Sequence, residues 1–257
     1  MKIAALYDIH GNLSALNAVL EELKTVQPDL IVVGGDIVTG PLPAQTLQRL
    51  LLLGEHAHFI RGNNDREVVT VFDNLPVIRR YLPDPSEQDL TVVRWIAGQL
   101  TPAERDFLAA LPEQLTFQIE GLGEILFCHA TPRSDEELFT PATPEERIKD
   151  IFSGVEQEIV VCGHTHLQFA QQVGKLNILN AGSVGMPFAD RPGAYWLLLS
   201  PEGYELRRTE YDVQNAAQEL NTSGNVFVRE FVKDYILKTP TATERIELLE
   251  RATKIYR

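Results

Sequence analysis

Cysteine is scarce in this chain. Only Cys128 and Cys162 occur among its 257 residues, and two cysteines are too few for a disulfide framework. Each ends an apolar run shortly before a histidine, so each is a candidate soft metal ligand. Cysteine at such a position is more often a small buried strand residue, and we favour that interpretation.

Long hydrophobic runs are also missing. The longest ones, such as YWLLL at 195–199, are far shorter than the roughly 20 apolar residues of a membrane-spanning helix. The apolar start of the chain is interrupted by Asp8 before the core of a signal peptide is complete. We therefore expect a cytoplasmic protein without a membrane partner.

Basic residues are outnumbered by acidic ones. The chain has 23 Lys and Arg against 36 Asp and Glu, a formal net charge of -13, and no basic run longer than two. A surface of this kind repels a polyphosphate backbone, so we expect no nucleic-acid partner. The acidic excess is typical of a solvated surface, and it is also compatible with carboxylates gathered around cations.

The first 60 residues alternate the patterns of buried strands and amphipathic helices. KIAALYD and LIVVGGD are apolar runs ending in Asp or Gly, which predicts two buried parallel strands. Between them, LSALNAVLEELKTV carries apolar residues at helical spacing, and Asn12 is its predicted N-cap. A helix at about 43–53 and the strand AHFIRG extend the β-α-β pattern.

The remainder of the chain divides into three parts. Residues 66–112 contain a proline-punctuated link, LPDPSEQ, and two helical patterns, and we interpret them as a helical insertion or lid. Strands resume with a predicted hairpin, QLTFQIE and EILFCHA, and continue to YELRRTE. We predict one domain over 1–210 and a helical C-terminal extension over 211–257.

Side chains that bind metals stand where the predicted strands end. They are Asp8, His10, Asp36, Asn63, His129, His164 and His166. Because ligand sites of open α/β sheets lie beyond the carboxyl ends of the strands, these residues can converge. In the GHTH motif, His164 and His166 stand two apart, so on an extended segment both imidazoles point the same way. Taken singly, each residue is also a plausible cap, turn or core-edge group.

The number of ligands indicates the kind of metal site. Seven oxygen and nitrogen ligands are too many for one tetrahedral zinc, but they suit two first-row divalent ions that share a carboxylate. A centre of that kind activates a water and holds two oxygens of a phosphoryl group. Gly34, Gly35, Gly62 and Gly163 stand beside the motifs, where glycine allows sharp turns and close approach of the backbone.

These motifs resemble a known family. D-x-H, G-D, G-N-x-D, a lone histidine after a strand and G-H-x-H occur between residues 8 and 166 in the order of the calcineurin-like metallophosphoesterase superfamily. The stretch NAGSVGMP at 180–187 is similar as well. The resemblance implies an α/β fold, the αββα four-layer sandwich, and two divalent ions (manganese, iron, zinc, cobalt or nickel).

The resemblance also assigns the ligands. It implies that one ion is held by Asp8, His10, Asp36 and His166. The other is held by Asp36, Asn63, His129 and His164, so that Asp36 is the bridge. Asp36, Asn63 and His129 are the implied catalytic residues, and no organic cofactor is expected.

Two departures from better-known branches narrow the substrate. Protein serine/threonine phosphatases and diadenosine tetraphosphatases carry an arginine shortly after the bridging aspartate, where this chain has Thr39 and Gly40. They also carry a proton-donating histidine where this chain has Asn64. A phosphoprotein or dinucleoside polyphosphate substrate therefore loses support. The chain is most similar to the compact prokaryotic phosphodiesterases of the superfamily.

Cationic candidates for a phosphate contact are few near the motifs. They are Arg61, Arg66 and Arg133, and for each we favour the alternative of a solvated surface residue. The role of Asp65, which follows Asn64, stays open.

The function implied by the resemblance is metal-dependent hydrolysis of a phosphoester, with a preference for phosphodiesters. A metal-bridging hydroxide attacks phosphorus in line in such enzymes. The expected partner is a small phosphoester substrate. The alternatives are a phosphomonoesterase for a small metabolite and a non-catalytic metal-binding scaffold for protein partners. The complete ligand set favours an enzyme, and a homodimer remains open.

Overall fold

The computed structural model describes residues 1–253, so residues 254–257 of the predicted C-terminal extension lie outside the described residues. Its strands are, in chain order, β1 (Ile3–Leu6), β2 (Leu30–Val33), β3 (Ala57–Phe59), β4 (Gln114–Ile119), β5 (Gly123–Cys128), β6 (Ile159–Cys162), β7 (Gln168–Val173), β8 (Leu176–Ala181), β9 (Ala194–Ser200) and β10 (Gly203–Thr209). The α-helices are α1 (Leu13–Val26), α2 (Pro43–Leu51), α3 (Asn63–Phe72), α4 (Glu87–Ala97), α5 (Pro102–Ala109), α6 (Glu145–Ile151), α7 (Val213–Asn221), α8 (Val226–Phe231) and α9 (Ala242–Ala252).

The strands form two five-stranded mixed sheets. The order is β10-β9-β1-β2-β3 in sheet one and β4-β5-β6-β8-β7 in sheet two. In sheet one, β1, β2 and β3 are parallel, and β9 and β10 join as antiparallel strands. In sheet two, β5, β6 and β8 are parallel between antiparallel edge strands. Each sheet therefore directs the carboxyl ends of three parallel strands to one edge.

Neighbouring side chains along a strand pack into different layers of the sandwich. In β1, Ile3 and Ala5 face a core that sheet one shares with Phe127 and Val161 of sheet two. Their neighbour Leu6 faces the opposite way, against helices on the outer face of sheet one. Successive side chains of a strand point to opposite faces, so one short run serves two cores. The outer face of sheet two is covered by α6, and the four layers confirm the predicted αββα sandwich.

Local signals account for the elements near the site. Asn12 caps α1 as predicted, because its side chain accepts a hydrogen bond from the backbone N–H of Ala15 at 3.1 Å. The third strand is shorter than the AHFIRG pattern suggests. It ends at Phe59, because Gly62 is already the N-cap of α3.

The segment 66–112 is largely built into the helical layer. Val68, Ile96 and Leu108 are fully buried and belong to the core on the outer face of sheet one. Two parts of the segment reach the loop after β5 of sheet two. At its start Arg66 pairs with Asp135, and in the irregular linker at 73–86 the backbone N–H of Arg80 donates to the buried carboxylate of Glu136. That the segment rims a functional site stays a prediction, which we narrow to this linker.

The region after residue 210 is helical as far as it is described. Helices α7 and α8 and the π-helical turn Val232–Ile236 pack against Trp95 and Leu42. Helix α9 packs elsewhere, on Leu138, Leu167 and Phe188. Among residues 1–253, no helix combines the length and the apolar character that crossing a membrane requires.

Candidate metal centre

Both sheets contribute side chains to one buried cluster. All seven sequence-predicted residues lie there, at the carboxyl ends of β1, β2, β5 and β6 and at the start of α3: Asp8, His10, Asp36, Asn63, His129, His164 and His166. None of their side chains is more than 8% exposed. The fold therefore brings together residues that are spread over 159 positions of the chain, from 8 to 166.

The cluster consists of two overlapping groups of ligand atoms. One group contains Asp8, His10, Asp36 and His166, and the other contains Asp36, His129 and His164. Within each group the ligand atoms lie within 4.8 Å of one another. Asn63 adjoins the second group, because its Oδ1 lies 3.1 Å from Nε2 of His129. Asp36 is common to both groups.

Hydrogen bonds orient three of the imidazoles. Nδ1 of His10 lies 3.0 Å from the carbonyl oxygen of Thr39, and Nδ1 of His129 lies 2.8 Å from that of Gly34. Nδ1 of His166 is 2.7 Å from the carbonyl oxygen of Met186. A carbonyl oxygen can only accept, so Nδ1 carries a proton in each of these rings, and in the neutral ring Nε2 has the lone pair that a metal needs. Metal-binding histidines are expected to be oriented in this way, by a hydrogen bond from the ring nitrogen that does not bind the metal.

His164 is oriented through its other nitrogen. Its Nε2 lies 3.2 Å from the carbonyl oxygen of Glu136, which leaves Nδ1 as the unprotonated nitrogen. Glu136 is itself held by the backbone of the linker at 73–86. The second group therefore depends on the contact between that linker and the loop after β5.

The donor set fits divalent ions of the first transition row. Oδ1 of Asp8 is buried without a hydrogen-bond partner among the described residues, although it lies 3.4 Å from Nε2 of His166. Nε2 of His166 in turn lies only 3.1 Å from Nε2 of His10, with both nitrogens left as acceptors by their Nδ1 bonds. Two acceptors at that distance are explained by a shared cation. Mixed carboxylate, amide and imidazole ligands suit manganese, iron, zinc, cobalt or nickel.

Charges within the cluster shift one another's pKa values. Burial by itself would raise the pKa of Asp36, but the imidazoles around it, His129 foremost, hold that pKa well below its usual range. Burial disfavours charge on His129, yet the carboxylate of Asp36 raises its pKa to about 10. Burial, followed by repulsion from His129, lowers the pKa of His164 to about 4. His164 is therefore neutral at pH 7, which is the form that binds a metal.

Left-handed backbone conformations are concentrated in the cluster. Five of the seven cluster residues have positive φ: Asp8 (53°), His10 (46°), Asp36 (53°), His164 (65°) and His166 (61°). Such conformations cost on the order of 1–3 kcal/mol each and persist where surrounding contacts impose them. The strain therefore lies in the cluster itself.

The extended conformation that we expected for GHTH is wrong. Strand β6 ends at Cys162, and both His164 and His166 are left-handed. The turn is imposed by contacts with distant residues, since the backbone N–H of His164 donates to Oδ2 of Asp8 at 2.8 Å. Both imidazoles reach the cluster, but each joins a different group of ligand atoms.

Asn64 holds the carboxylate of Asp36 and Asp65 holds its backbone, roles that the sequence did not reveal. Asn64 donates to Asp36 through both its backbone N–H and its side-chain amide. The buried carboxylate of Asp65 accepts from the backbone N–H groups of Asp36 (2.8 Å), Ile37 (2.9 Å) and Gly62 (3.1 Å). Burial and the charge of Asp36 raise the pKa of Asp65 to about 7. Its position three residues after the N-cap Gly62 is the only local signal for this role.

Two glycines allow the backbone to approach the carboxylates. A Cβ atom at Gly62 would lie 2.2 Å from Oδ1 of Asp36, and one at Gly163 would lie 2.4 Å from Oδ2 of Asp8. Neither distance is possible for a side chain, so close approach explains these glycines. The stretch at 180–187 supports the same turn, because the side-chain amide of Asn180 donates to the carbonyl oxygen of Gly163 at 2.8 Å.

The remaining candidates do not enter the cluster. Arg61 pairs with Glu113, Arg66 with Asp135 and Arg133 with Glu137. Cys128 and Cys162 are buried on the outer side of sheet two, so the interpretation as strand residues is confirmed.

Comparisons with known proteins agree with this architecture. Residues 1–201 match the sequence profile of the calcineurin-like phosphoesterase superfamily domain. The phosphodiesterase YfcE of Escherichia coli is 26% identical over 207 residues, which cover 77% of this chain and 87% of YfcE.

Two solved structures share the fold. A hypothetical protein from Pyrococcus horikoshii superposes with a TM-score of 0.76 at 20% identity, over 93% of this chain and 99% of its own. A metallophosphoesterase from Sphaerobacter thermophilus gives a TM-score of 0.68 at 22% identity, over 91% and 98%. With the family profile covering most of the chain, the protein belongs to the calcineurin-like phosphoesterase superfamily.

Proposed function

We propose that the protein hydrolyses phosphoesters with two divalent metal ions and favours phosphodiesters. One observation carries the proposal: two groups of buried ligand atoms overlap in a single carboxylate, that of Asp36. We assign one ion to Asp8, His10, Asp36 and His166 and the other to Asp36, Asn63, His129 and His164. Two ions bound in this way would activate a water and neutralise charge on the phosphoryl oxygens.

The residues around the ions prepare this chemistry. Backbone carbonyls and Nδ1 protons fix three imidazole rings, so their nitrogens need no reorientation when ions bind. Asn64 and Asp65 hold Asp36 between the two groups from both its side-chain and its backbone atoms. Because the amide of Asn64 is engaged with Asp36 and carries no titratable proton, we assign no general acid to that position.

The preference for phosphodiesters is supported by two observations. The chain is similar to the phosphodiesterase YfcE. In addition, Arg61, Arg66 and Arg133 are engaged by carboxylates, so none of these three is free to bind the second charge of a phosphomonoester. A phosphomonoesterase remains the alternative activity, and the filled ligand set disfavours a purely scaffolding role.

Metal removal and a pair of substrates test the proposal. Dialysis against a chelator should abolish hydrolysis of bis(p-nitrophenyl) phosphate, and manganese should restore it with about two ions per chain by elemental analysis. The diester should have a higher kcat/KM than p-nitrophenyl phosphate. Equal rates with and without metal would contradict the mechanism. A higher kcat/KM for p-nitrophenyl phosphate than for the diester would favour the alternative activity, a phosphomonoesterase.

A further inference from the structure

Arg245 on α9 is placed beside the metal centre without an ionic partner. It is half-buried, and among the described residues its guanidinium makes no ion pair, while its Nε is buried without a hydrogen-bond partner. The arginines that the sequence singled out, Arg61, Arg66 and Arg133, are all paired with carboxylates. Arg245 therefore differs from them in having its charge uncompensated.

Phe188 connects Arg245 to the site. The guanidinium carbon lies 4.3 Å from the centroid of the Phe188 ring, and that ring stacks on His166 at 5.3 Å with an interplanar angle of 21°. The ring of Phe188 thus contacts both the cation of Arg245 and His166, a proposed metal ligand, so a small substrate can reach from the ions to Arg245. Within the described chain its guanidinium makes no ion pair with Asp8 or Asp36, whose carboxylates contact His166 and His10 instead.

Helix α9 is fixed in this position by three kinds of contact. Thr241 and Glu244 form a capping box at its start. Oε1 of Glu250 accepts from the hydroxyl groups of Thr140 and Thr143, each at 2.6 Å. Leu249 is 4% exposed and packs in a cluster with Leu167, the residue after His166. Arg245 and Leu249 are four apart, so they lie on the same face of the helix.

A partly buried cation raises the free energy of the folded protein unless an anion pairs with it. Burial lowers the pKa of Arg245 below its ordinary value, and the nearby Tyr235 and Asp8 only partly oppose this. A desolvated charge without a hydrogen-bonded counter-ion costs free energy, and a forked guanidinium is suited to carboxylate and phosphate oxygens. The cation–π contact with Phe188 compensates only part of that cost.

We propose that Arg245 binds a second anionic group, a carboxylate or a phosphate, on the part of the substrate that is not hydrolysed. The C-terminal helix thereby selects phosphoesters whose alcohol carries its own negative charge. This inference rests on the proposed function for the identity of the reacting group. Arg245 is a specificity residue in this assignment, since the hydrolysed phosphoryl group is held by the ions.

Matched substrates separate this role from simple packing. We suggest p-nitrophenyl phosphodiesters whose second alcohol ends in a carboxylate, a phosphate or a neutral carboxamide, together with their non-hydrolysable phosphonate analogues. Calorimetric titration of the manganese-loaded protein should show about 10- to 100-fold tighter binding of a charged analogue than of the carboxamide, as one charge-assisted contact provides. Comparing the carboxylate with the phosphate identifies which anion the site prefers.

Three variants complete the test. Arg245→Met keeps a long apolar side chain over Phe188. It should bring the ratio of affinities for the charged and carboxamide analogues close to 1, and it should bind the carboxamide analogue as tightly as wild type does. Arg245→Lys should give an intermediate ratio, because it keeps the charge without the fork. Arg251→Met is the matched control on the same helix, since Arg251 is exposed and, among the described residues, pairs only with Glu247. Its affinity ratio should equal that of wild type.

The outcomes distinguish this inference from the proposed function. If wild type does not discriminate charged from neutral analogues, or if Arg245→Met retains the discrimination, the inference is wrong. Discrimination without hydrolysis of any ester would leave the anion site intact and contradict the proposed function. Should Arg245→Met fail to fold, the wild-type ratio and the Arg245→Lys variant still decide.

Discussion

Asp36 is the residue on which both groups of ligand atoms depend. Its carboxylate belongs to each group and also accepts two hydrogen bonds from Asn64. Asp36→Asn removes the charge that two cations would share, so we expect both ions to bind more weakly and kcat to fall by at least about 100-fold. The measurement is elemental analysis together with hydrolysis of bis(p-nitrophenyl) phosphate.

A control for this variant lies at the other end of the strand that leads to Asp36. Asp29 precedes β2, whereas Asp36 follows it, and Asp29 is exposed. Asp29→Asn should keep full metal content and activity. An Asp36→Asn protein with two ions and normal turnover would show that Asp36 is not the bridge.

Asn64 occupies the position at which better-known branches of the superfamily carry a proton-donating histidine, and its amide cannot supply that proton. We therefore expect the rate to depend steeply on leaving-group pKa, with aryl esters hydrolysed far faster than alkyl esters. Asn64→His introduces an imidazole but also removes the amide that donates to Asp36. Asn64→Ala removes the same amide without adding an imidazole, so it is the matched control.

The two Asn64 variants isolate proton donation. Alkyl esters should be hydrolysed about 10-fold faster by Asn64→His than by Asn64→Ala, while aryl esters should show little difference; a grafted donor recovers only part of a natural one. The slope of log rate against leaving-group pKa is the measurement. A shallow slope in wild type, with chemistry rate-limiting, would mean that another group already supplies the proton.

At the scale of elements, the linker at 73–86 and the loop after β5 support the second group. The backbone N–H of Arg80 donates to the carboxylate of Glu136, whose carbonyl oxygen lies 3.2 Å from Nε2 of His164. Removing all of 66–112 would also remove core residues such as Ile96. Shortening the linker alone therefore tests whether this segment acts as a lid, and it should change the ratio of kcat/KM values across a panel of phosphoesters.

Glu136→Ala tests this connection without altering chain length. It leaves the backbone N–H of Arg80 without its acceptor and loosens the loop that orients His164, so one of two manganese sites should weaken by about 10- to 100-fold. Calorimetric titration with manganese resolves the two sites. Glu113→Ala is the control, because Glu113 is exposed and pairs with Arg61 away from His164. If both sites of Glu136→Ala bound manganese with wild-type affinity, the linker would not support the metal centre.

At the scale of the whole molecule, the centre joins the two sheets. Asp8 and Asp36 follow strands of sheet one, while His129, His164 and His166 follow strands of sheet two. Ions that bind only the folded chain stabilise it, by about 2.7 kcal/mol for each ion at 100 times its Kd. In a chain of this size we expect manganese to raise Tm by roughly 10–20 °C.

Thermal unfolding with and without manganese measures this effect. Calcium prefers oxygen ligands and should give a much smaller shift at a site rich in imidazole. Asp36→Asn should also reduce the shift. A Tm that does not respond to manganese would mean that the sheets are not bridged by bound ions.

The sequence by itself determined the elements whose signals are local. Apolar runs predicted β1 and β2, helical spacing and Asn12 predicted α1, and the order of the motifs identified the seven residues of the cluster. These features depend on periodicity and on neighbours within a few positions, which a single sequence displays directly.

Only the tertiary structure decided how these residues meet. The left-handed turns at His164 and His166 follow from contacts such as that of the His164 backbone N–H with Asp8, which no local pattern encodes. The same holds for Arg245, whose place beside Phe188 depends on how α9 docks after the domain is complete. Contacts between distant parts of the chain are chosen by packing and by satisfaction of buried polar groups, so they appear only when all layers are assembled.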